Sequence, residues 1–184
     1  MEPDDLRRIH SEAGASGVLS LQHDDCLSYW GIDYAMMYRS GTALGLEMER
    51  CPIRDFDMTD MRRRLPAAIR TLANMLARGH RVYVHCTAGM GRAPTVVFGY
   101  LTLVEWYLPD DAIRLILKGC PESVLAWEAY YGCREDLTAR HRHAIERRAY
   151  EIYKLGLHGN ARADWFQARA EILRSILTQT GTEY

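Results

Sequence analysis

The sequence predicts an α/β fold in which a short, central, mostly parallel sheet is flanked by helices and followed by an all-helical C-terminal extension. Two observations lead to this prediction. Up to about residue 118, short apolar runs typical of buried strands alternate with helical patterns. Beyond about residue 110, nearly every segment has a helical pattern and none has the pattern of a strand.

The first four elements are predicted from short patterns. Residues 6–13 read as a short helix, and residues 17–21 form a compact apolar run that predicts a buried strand. Residues 23–45 show no sustained period and are expected to form a loop with one short helix. A second strand is predicted over residues 49–53, and it would deliver the acidic cluster that follows to its carboxyl end.

The middle of the chain carries the clearest periodicity. Apolar residues recur at spacings of three and four between residues 60 and 78, which predicts an amphipathic helix that Gly79 ends. The run 81–85 is short and contains β-branched and aromatic residues, which predicts a central strand. An apolar segment over residues 94–106 predicts a buried helix, with Pro94 in the first turn, where no amide is needed.

Helical patterns continue to the C-terminus. The predicted helices cover residues 110–118, 122–137, 138–155 and 163–177. Trp106 and Trp127 lie within apolar helical patterns and are expected to pack in the core.

Composition limits the classes of function. The chain has 184 residues, 48% of them hydrophobic, which suffices for the core of one ordinary domain. Lysine plus arginine (23) nearly equals aspartate plus glutamate (24), which argues against nucleic-acid binding through bulk charge. The sequence has neither a membrane-spanning apolar run nor a signal-peptide pattern, so a cytoplasmic protein without a membrane partner is expected.

The cysteines point to a reducing compartment. Five cysteines stand at irregular positions and match neither a zinc pattern nor an even disulfide framework. A reducing compartment would keep a catalytic thiol active, and the sequence predicts no metal and no other cofactor.

One short segment carries the chemistry. Between a predicted strand and a predicted helix stands the sequence His85-Cys86-Thr87-Ala88-Gly89-Met90-Gly91-Arg92. A loop this short, wrapped onto a helix N-terminus, directs successive backbone N–H groups into one concavity that suits a phosphate dianion. The same groups stabilise a thiolate, so Cys86 is predicted to be a nucleophile. Arg92 would bind two phosphate oxygens with its planar guanidinium.

Other residues of the predicted site have alternative explanations. An isolated cysteine is usually an inert, buried thiol, but the complete loop pattern favours an enzyme. His85 would either orient the loop or be a structural buried histidine. A departing alkoxide needs a proton, and Asp55, Asp57 and Asp60 are equal candidates for the acid, since each could instead be a solvated residue or a helix cap.

At these residues the sequence resembles the dual-specificity branch of the cysteine phosphatases, and within it the plant starch and glucan phosphatases, with laforin more distant. The resemblance covers about residues 5–118. It rests on the loop with Ala93-Pro94, on Ile53-Arg54-Asp55-Phe56-Asp57, on Arg64-Leu65-Pro66, and on Leu21-Gln22 with Tyr29-Trp30-Gly31-Ile32-Asp33. In the wider family a Ser or Thr is common at the position of Ala93, whereas the plant glucan enzymes are similar to this chain.

The resemblance implies roles for further residues. Asp55 becomes the general acid, and Tyr29, Trp30 and Phe56 become a platform for a glucan chain. For Trp30 and Phe56, packing in the core is an equal alternative. The loop Gly119-Cys120-Pro121 lacks the aromatic residue that the plant enzymes place before the proline, and Ser20 occupies the position of a redox-partner cysteine in one plant relative.

The resemblance also suggests a division of the chain. Residues 1–137 would form the dual-specificity phosphatase catalytic domain. Residues 138–184 would form a helical extension that resembles a small uncharacterised bacterial domain, with Asp164-Trp165-Phe166 among the matching residues.

The expected function is therefore hydrolysis of phosphate monoesters through a phosphocysteine intermediate, on phosphorylated glucan. A protein tyrosine, serine or threonine phosphatase is the first alternative, because a shallow pocket would admit several substrates. The second alternative is a phosphate-dependent binding module with little turnover. The sequence does not indicate an oligomeric state.

Overall fold

A computed structural model describes residues 3–156 and 159–179, and its centre is a three-stranded parallel sheet. The strands are β1 (Gly17–Gln22), β2 (Glu47–Ile53) and β3 (Val82–His85). They lie in the order β2-β1-β3, and β1 pairs in parallel with both neighbours. The carboxyl ends of the three strands therefore meet at one edge of the sheet, as expected for the predicted α/β fold.

Helices account for most of the other described residues. They are α1 (Pro3–Ala13), α2 (Asp24–Tyr29), α3 (Tyr34–Ala43), α4 (Met58–Ala77), α5 (Arg92–Leu103), α6 (Pro109–Gly119), α7 (Trp127–Arg140), α8 (Arg142–Lys154) and α9 (Ala161–Thr178). The helix predicted over residues 60–78 is confirmed as α4, and Gly79 follows its last residues with a φ of 86°. None of the helices in the described part of the chain is long and apolar enough to cross a membrane.

The structure corrects the prediction for residues 23–45, which form two helices. Side-chain caps explain the difference, because His23 accepts a hydrogen bond from the Asp25 N–H at the start of α2. At the start of α3, Asp33 accepts from the N–H of Met36. Short helices that begin at such caps need no sustained apolar period, so the pattern of the sequence did not reveal them.

Several predicted helix boundaries were also wrong. The helix expected over residues 94–106 begins at Arg92 and ends at Leu103, and Trp106 lies in a loop with a φ of 60°. Residue 138 was expected to begin a helix, but α7 continues to Arg140 and the Thr138 hydroxyl donates to the Arg134 carbonyl at 2.7 Å. A hydroxyl that bonds back onto its own helix does not interrupt it.

The main core lies between the sheet and the long helices. It contains Leu19 and Ile53 from the strands, Leu65 from α4 and Phe98 from α5. Helix α9 contacts α4 and α5, and its Leu173 and Leu177 are buried in the same core.

The C-terminal extension is therefore in contact with the predicted catalytic part. A smaller cluster, with Ile145 and Ile152 of α8 and Ala168 of α9, holds these two helices together. The predicted division at residues 137 and 138 falls inside α7, and the division into two domains stays a prediction. Its outer limits, residues 1 and 184, lie outside the described residues.

Because α9 completes the main core, a cavity in α9 should destabilise the whole protein. We expect Leu173→Ala, at a side chain that is 2% exposed, to lower the free energy of unfolding by about 3 kcal/mol. Leu155→Ala, at a leucine that is 66% exposed, should change it by less than about 0.5 kcal/mol. Urea unfolding followed by circular dichroism measures both, and a separate early transition for Leu173→Ala would contradict shared packing.

Candidate active site

The segment between β3 and α5 forms a tight loop at the carboxyl edge of the sheet. Cys86 follows the last residue of β3 and is 5% exposed, and Arg92 is the first residue of α5. Gly89 has a φ of 77°, a conformation that a residue with a β-carbon rarely adopts. The loop therefore wraps onto the N-terminus of α5, with the geometry that the sequence predicts for an anion-binding loop.

The Arg92 guanidinium is buried and held at several points. Its Nη1 donates to the Ile53 carbonyl at 2.8 Å and lies 3.5 Å from the Leu21 carbonyl, at the ends of β2 and β1. Its Nη2 donates to Asp55 Oδ2 at 2.7 Å and to Thr87 Oγ1 at 3.0 Å. These bonds fix the planar fork beside the loop that carries Cys86.

The environments of the three acidic candidates differ. Asp57 is the N-cap of α4 and accepts a hydrogen bond from the Asp60 N–H at 2.8 Å. Burial by itself would raise the pKa of Asp60, but hydrogen bonds from the Arg54 N–H and from two guanidinium groups lower it to about 2. Those two groups belong to Arg63 and Arg64. Asp55 neither caps α4 nor binds the Arg54 N–H. It forms an ion pair with Arg92 instead.

A cavity of about 380 Å³ opens above the loop. Its polar side contains Cys86, Arg92 and Asp55. The remainder of the lining is largely apolar, and its prominent members are Phe56, Met58, Met61, Met90, Val124 and Leu125. Such a site combines a small charged centre with an apolar surround, as ligand pockets commonly do.

His85, the last residue of β3, is hydrogen-bonded to the start of the loop. It is 6% exposed, and burial lowers its pKa to about 4, so the imidazole is neutral at physiological pH. A neutral ring beside a carbonyl must donate from Nδ1, which lies 3.1 Å from the carbonyl oxygen of Cys86. This hydrogen bond holds the backbone of Cys86, and Nε2 has no hydrogen-bond partner among the described residues.

Cys26 also belongs to the site. Its Sγ lies 3.6 Å from Arg92 Nη1, and it is also hydrogen-bonded to Thr87. Partial burial raises the pKa of the Cys26 thiol, but the hydrogen bonds to Thr87 and Arg92, the positive charge of Arg92 and a backbone hydrogen bond from His23 together lower the pKa overall. No local pattern marks Cys26, because its partners are more than sixty residues away.

The wall of the cavity is tied to the loop by two further contacts. The buried Thr95 hydroxyl donates to the Gly91 carbonyl at 2.8 Å and accepts from the Ala126 N–H at 2.9 Å. The Val124 N–H donates to the Met90 carbonyl at 2.7 Å. The segment with Val124 and Ala126 therefore keeps a defined position beside the loop between β3 and α5.

A family model described as the catalytic domain of dual specificity phosphatases matches residues 19–124, more than half of the chain. The chain belongs to the dual-specificity phosphatase family. The match includes the loop from Cys86 to Arg92, Asp55 and the cavity wall around Val124.

Relatives of this phosphatase chain include plant proteins. It is 37% identical over 121 residues to phosphoglucan phosphatase DSP4, amyloplastic, of Castanea sativa, which covers 62% of this chain and 31% of the relative. It is 35% identical over 91 residues to phosphoglucan phosphatase LSF1, chloroplastic, of Arabidopsis thaliana. This match covers 50% of this chain and 15% of the relative. Laforin of Mus musculus is 40% identical over 65 residues, which cover 35% of this chain and 20% of laforin. The chain thus spans less than a third of each of these relatives.

Solved phosphatase structures share the fold. The crystal structure of PTPMT1 has a TM-score of 0.57 and 23% identity, and the match covers 77% of this chain and 89% of that one. Kinase associated phosphatase has a TM-score of 0.59 and 18% identity, with coverage of 74% and 78%. At these sequence identities the similarity shows a shared mixed α/β fold and nothing more.

The structure brings most of the predicted site of this phosphatase together. Cys86, Arg92, Asp55 and Phe56 line one cavity, and Phe56 is 94% exposed, so it does not pack in the core. Tyr29 and Trp30 are also exposed, and their rings meet edge to face at 5.1 Å, but neither lines this cavity. The platform role of all three aromatic residues stays a prediction.

Burial of a neutral His85 should make the stability of the protein depend on pH. Below pH 6.5 an unfolded histidine binds a proton, whereas the folded one does so only near pH 4, so stability falls as the pH falls between these values. We expect this residue to account for a loss of about 3 kcal/mol over that range. The low pKa of Asp60 acts only below about pH 4, so it does not contribute there.

His85→Asn keeps a side-chain donor for the Cys86 carbonyl but does not titrate. Chemical unfolding at pH 4.5 and pH 7 should therefore show a smaller difference for this variant than for the wild type. An equal difference would contradict a buried, neutral His85.

Proposed function

We propose that this protein is a cysteine-dependent phosphatase that removes phosphate from phosphorylated glucan through a phosphocysteine intermediate. The observation that carries this proposal is the convergence of Cys86, Arg92 and Asp55 in one cavity at the carboxyl edge of the sheet. Phosphate would occupy the loop, with its oxygens bound by backbone N–H groups and by the Arg92 fork. No step requires a metal, and the described residues contain no group of three or more metal-binding side chains.

The first chemical step transfers the phosphoryl group. The Cys86 thiolate attacks phosphorus, an S–P bond forms, and the bond to the ester oxygen breaks. Asp55 gives its proton to the departing oxygen, which leaves as an alcohol. In the structure Asp55 is a carboxylate paired with Arg92 at 2.7 Å. The incoming phosphate must therefore take over this guanidinium, and Asp55 must gain a proton, from the water attack of the preceding turnover or from a monoanionic substrate, before it can turn to the leaving group.

The second step releases phosphate. Asp55, now a carboxylate, accepts a proton from a water molecule that attacks phosphorus, and the S–P bond breaks. Inorganic phosphate leaves and Cys86 returns as a thiolate. Asp57 and Asp60 take no part, because their carboxylates are engaged at the start of α4.

The apolar lining supports a glucan substrate. Phe56 stands at the mouth of the cavity, and its φ of 56° is unfavourable for an aromatic residue, which is often a feature of functional sites. Aromatic faces suit the apolar faces of sugar rings. The names of the Castanea and Arabidopsis relatives as phosphoglucan phosphatases support the same substrate class for this chain.

The same lining also suits a phosphotyrosine ring, so a protein phosphatase is the second candidate. A phosphate-binding module without turnover is the third, and the positions of Asp55 and Cys86 argue against it. We also propose a cytoplasmic, reducing location, consistent with five free cysteines. The plastid names of the two plant relatives describe those proteins.

The roles of the acidic residues can be separated by substitution. Asp55→Asn should lower kcat by about 100-fold or more on an alkyl phosphate and less on an aryl phosphate, whose leaving group needs little protonation. Asp57→Asn should cost about 1 kcal/mol of stability at most and leave kcat within about twofold. Cys86→Ser supplies the inactive baseline, and a wild type as slow as this variant would exclude an enzyme.

The substrate can be identified by phosphate release in the presence of EDTA. Wild-type protein should prefer solubilised phosphorylated starch to a phosphotyrosine peptide at equal phosphate concentration. Phe56→Ala should weaken hydrolysis of phosphoglucan by roughly 3- to 10-fold and leave a small aryl phosphate almost unaffected. Tyr150→Ala, at an aromatic residue that is 61% exposed and lies on α8, is the matched control.

Two results would contradict this assignment. Preference for the peptide would identify a protein phosphatase. Equal losses on both substrates in Phe56→Ala would mean that Phe56 does not contact the glucan.

A further inference from the structure

A second exposed aromatic site lies at the far end of α5 from the catalytic loop. Among the described residues, two non-glycine residues have a left-handed backbone, Phe56 with a φ of 56° and Trp106 with a φ of 60°. Both carry exposed aromatic rings, and Phe56 stands at the mouth of the catalytic cavity. Trp106 was expected in the core, but it is 48% exposed, because α5 ends before it.

The surroundings of Trp106 form a defined group of side chains, which we name the distal patch: Tyr100, Glu105, Trp106, Tyr107 and Arg174. The Arg174 guanidinium stacks 5.1 Å from the centre of the Trp106 ring. The Tyr100 hydroxyl donates to Glu105 at 2.8 Å. Burial and this carboxylate raise the pKa of Tyr100 to about 12, so its hydroxyl stays protonated.

The loop of the distal patch is held in place by its backbone. The Glu105 N–H donates to the Tyr100 carbonyl at 3.2 Å, and the Tyr107 N–H donates to the Leu101 carbonyl at 2.9 Å. Trp106 therefore remains exposed through a fixed backbone conformation that disfavours an aromatic residue. A patch that is ordered in advance loses less freedom when a ligand binds.

The chemistry of the distal patch selects a class of ligand. Trp106, backed by Arg174, presents an aromatic surface, which suits the apolar face of a sugar ring. Glu105 accepts hydrogen bonds from hydroxyl groups and Arg174 donates them. Because these two charges oppose each other, the patch favours a neutral, hydroxylated ligand over a phosphorylated one.

We infer that the distal patch binds unphosphorylated glucose units of the same glucan whose phosphate is removed at Cys86. This inference rests on the proposed function. Helix α5 has 12 residues, so the residues of the patch lie roughly 12–18 Å along the helix axis from the catalytic loop. A long glucan reaches both sites, and the second contact raises the effective concentration of phosphate groups near the first.

The inference also gives α9 a role. Arg174 belongs to α9, whose Leu173 and Leu177 are buried in the main core. The buried leucines position the helix, and the exposed guanidinium next to Leu173 completes the distal patch. The C-terminal extension would thus contribute to binding of the polymer.

Trp106→Gly tests the inference with little risk to folding, because glycine accepts a left-handed backbone. Native gel electrophoresis in unphosphorylated amylopectin should show roughly 3- to 10-fold weaker binding than for the wild type. Leu108→Ala, at a residue of the same loop that is 69% exposed, should bind like the wild type. Trp106→Phe should restore part of the affinity.

Kinetics and stability supply independent readouts. Trp106→Gly should raise KM for phosphorylated amylopectin by a similar factor and leave KM for a small aryl phosphate unchanged. Its melting temperature should equal or exceed that of the wild type. A melting temperature lower by about 2–4 °C or more, with unchanged binding of amylopectin, would instead identify a structural tryptophan.

Other outcomes separate the inference from the proposed function. If the wild type releases phosphate from phosphoglucan and Trp106→Gly binds amylopectin equally well, the inference is wrong and the proposed function stands. If the wild type releases no phosphate from phosphoglucan, the proposed substrate is wrong. If Trp106→Gly alters only the oligomeric state in light scattering, the distal patch is a protein-docking surface and the inference is overturned.

Discussion

A buried guanidinium joins the separate parts of this site. Arg92 is 6% exposed, and a buried cation is tolerated only where hydrogen bonds and an opposite charge replace water. The carbonyl of Ile53, the hydroxyl of Thr87 and the carboxylate of Asp55 supply these partners. Strand β2, the loop between β3 and α5, and the acidic loop before α4 must therefore come together around one side chain.

The same arrangement explains how one short acidic segment serves two purposes. Asp57 and Asp60 bind backbone N–H groups and guanidinium groups at the start of α4, and these contacts hold the segment in place. Asp55 faces the cavity, where its partner is the group that would bind phosphate. The environment of each carboxylate, and not its spacing along the chain, distinguishes the structural acids from the candidate catalytic acid.

Phe56 and Trp106 are exposed aromatic residues with a left-handed backbone. Phe56 lies beside the loop that precedes α5, and Trp106 follows the C-terminal end of α5. Phe56 follows Asp55 directly, so the candidate acid and an aromatic ring of the same cavity share one loop. Trp106 shares its loop with Glu105 and lies under the Arg174 guanidinium of the C-terminal helix. A long polymeric substrate could contact both residues at once.

Local patterns were sufficient for much of the fold. The alternation of apolar runs with amphipathic segments predicted the three strands and the long helix α4, because periodicity reports which face is buried. The same patterns misjudged residues 23–45 and the end of α5, where side-chain caps and a loop decide the backbone. Caps act through single residues, so they leave a weak periodic signal.

The sequence by itself determined the candidate nucleophile and the candidate phosphate-binding arginine, since Cys86 and Arg92 lie within one loop of eight residues with His85. Spacing alone left Asp55, Asp57 and Asp60 equal, and the family resemblance favoured Asp55. Only the tertiary structure paired Asp55 with Arg92, placed Cys26 beside Arg92 and brought Arg174 over Trp106. The reason is physical. A tight loop is specified by contiguous residues, whereas these pairs meet only after strands and helices pack, at separations that no local pattern records.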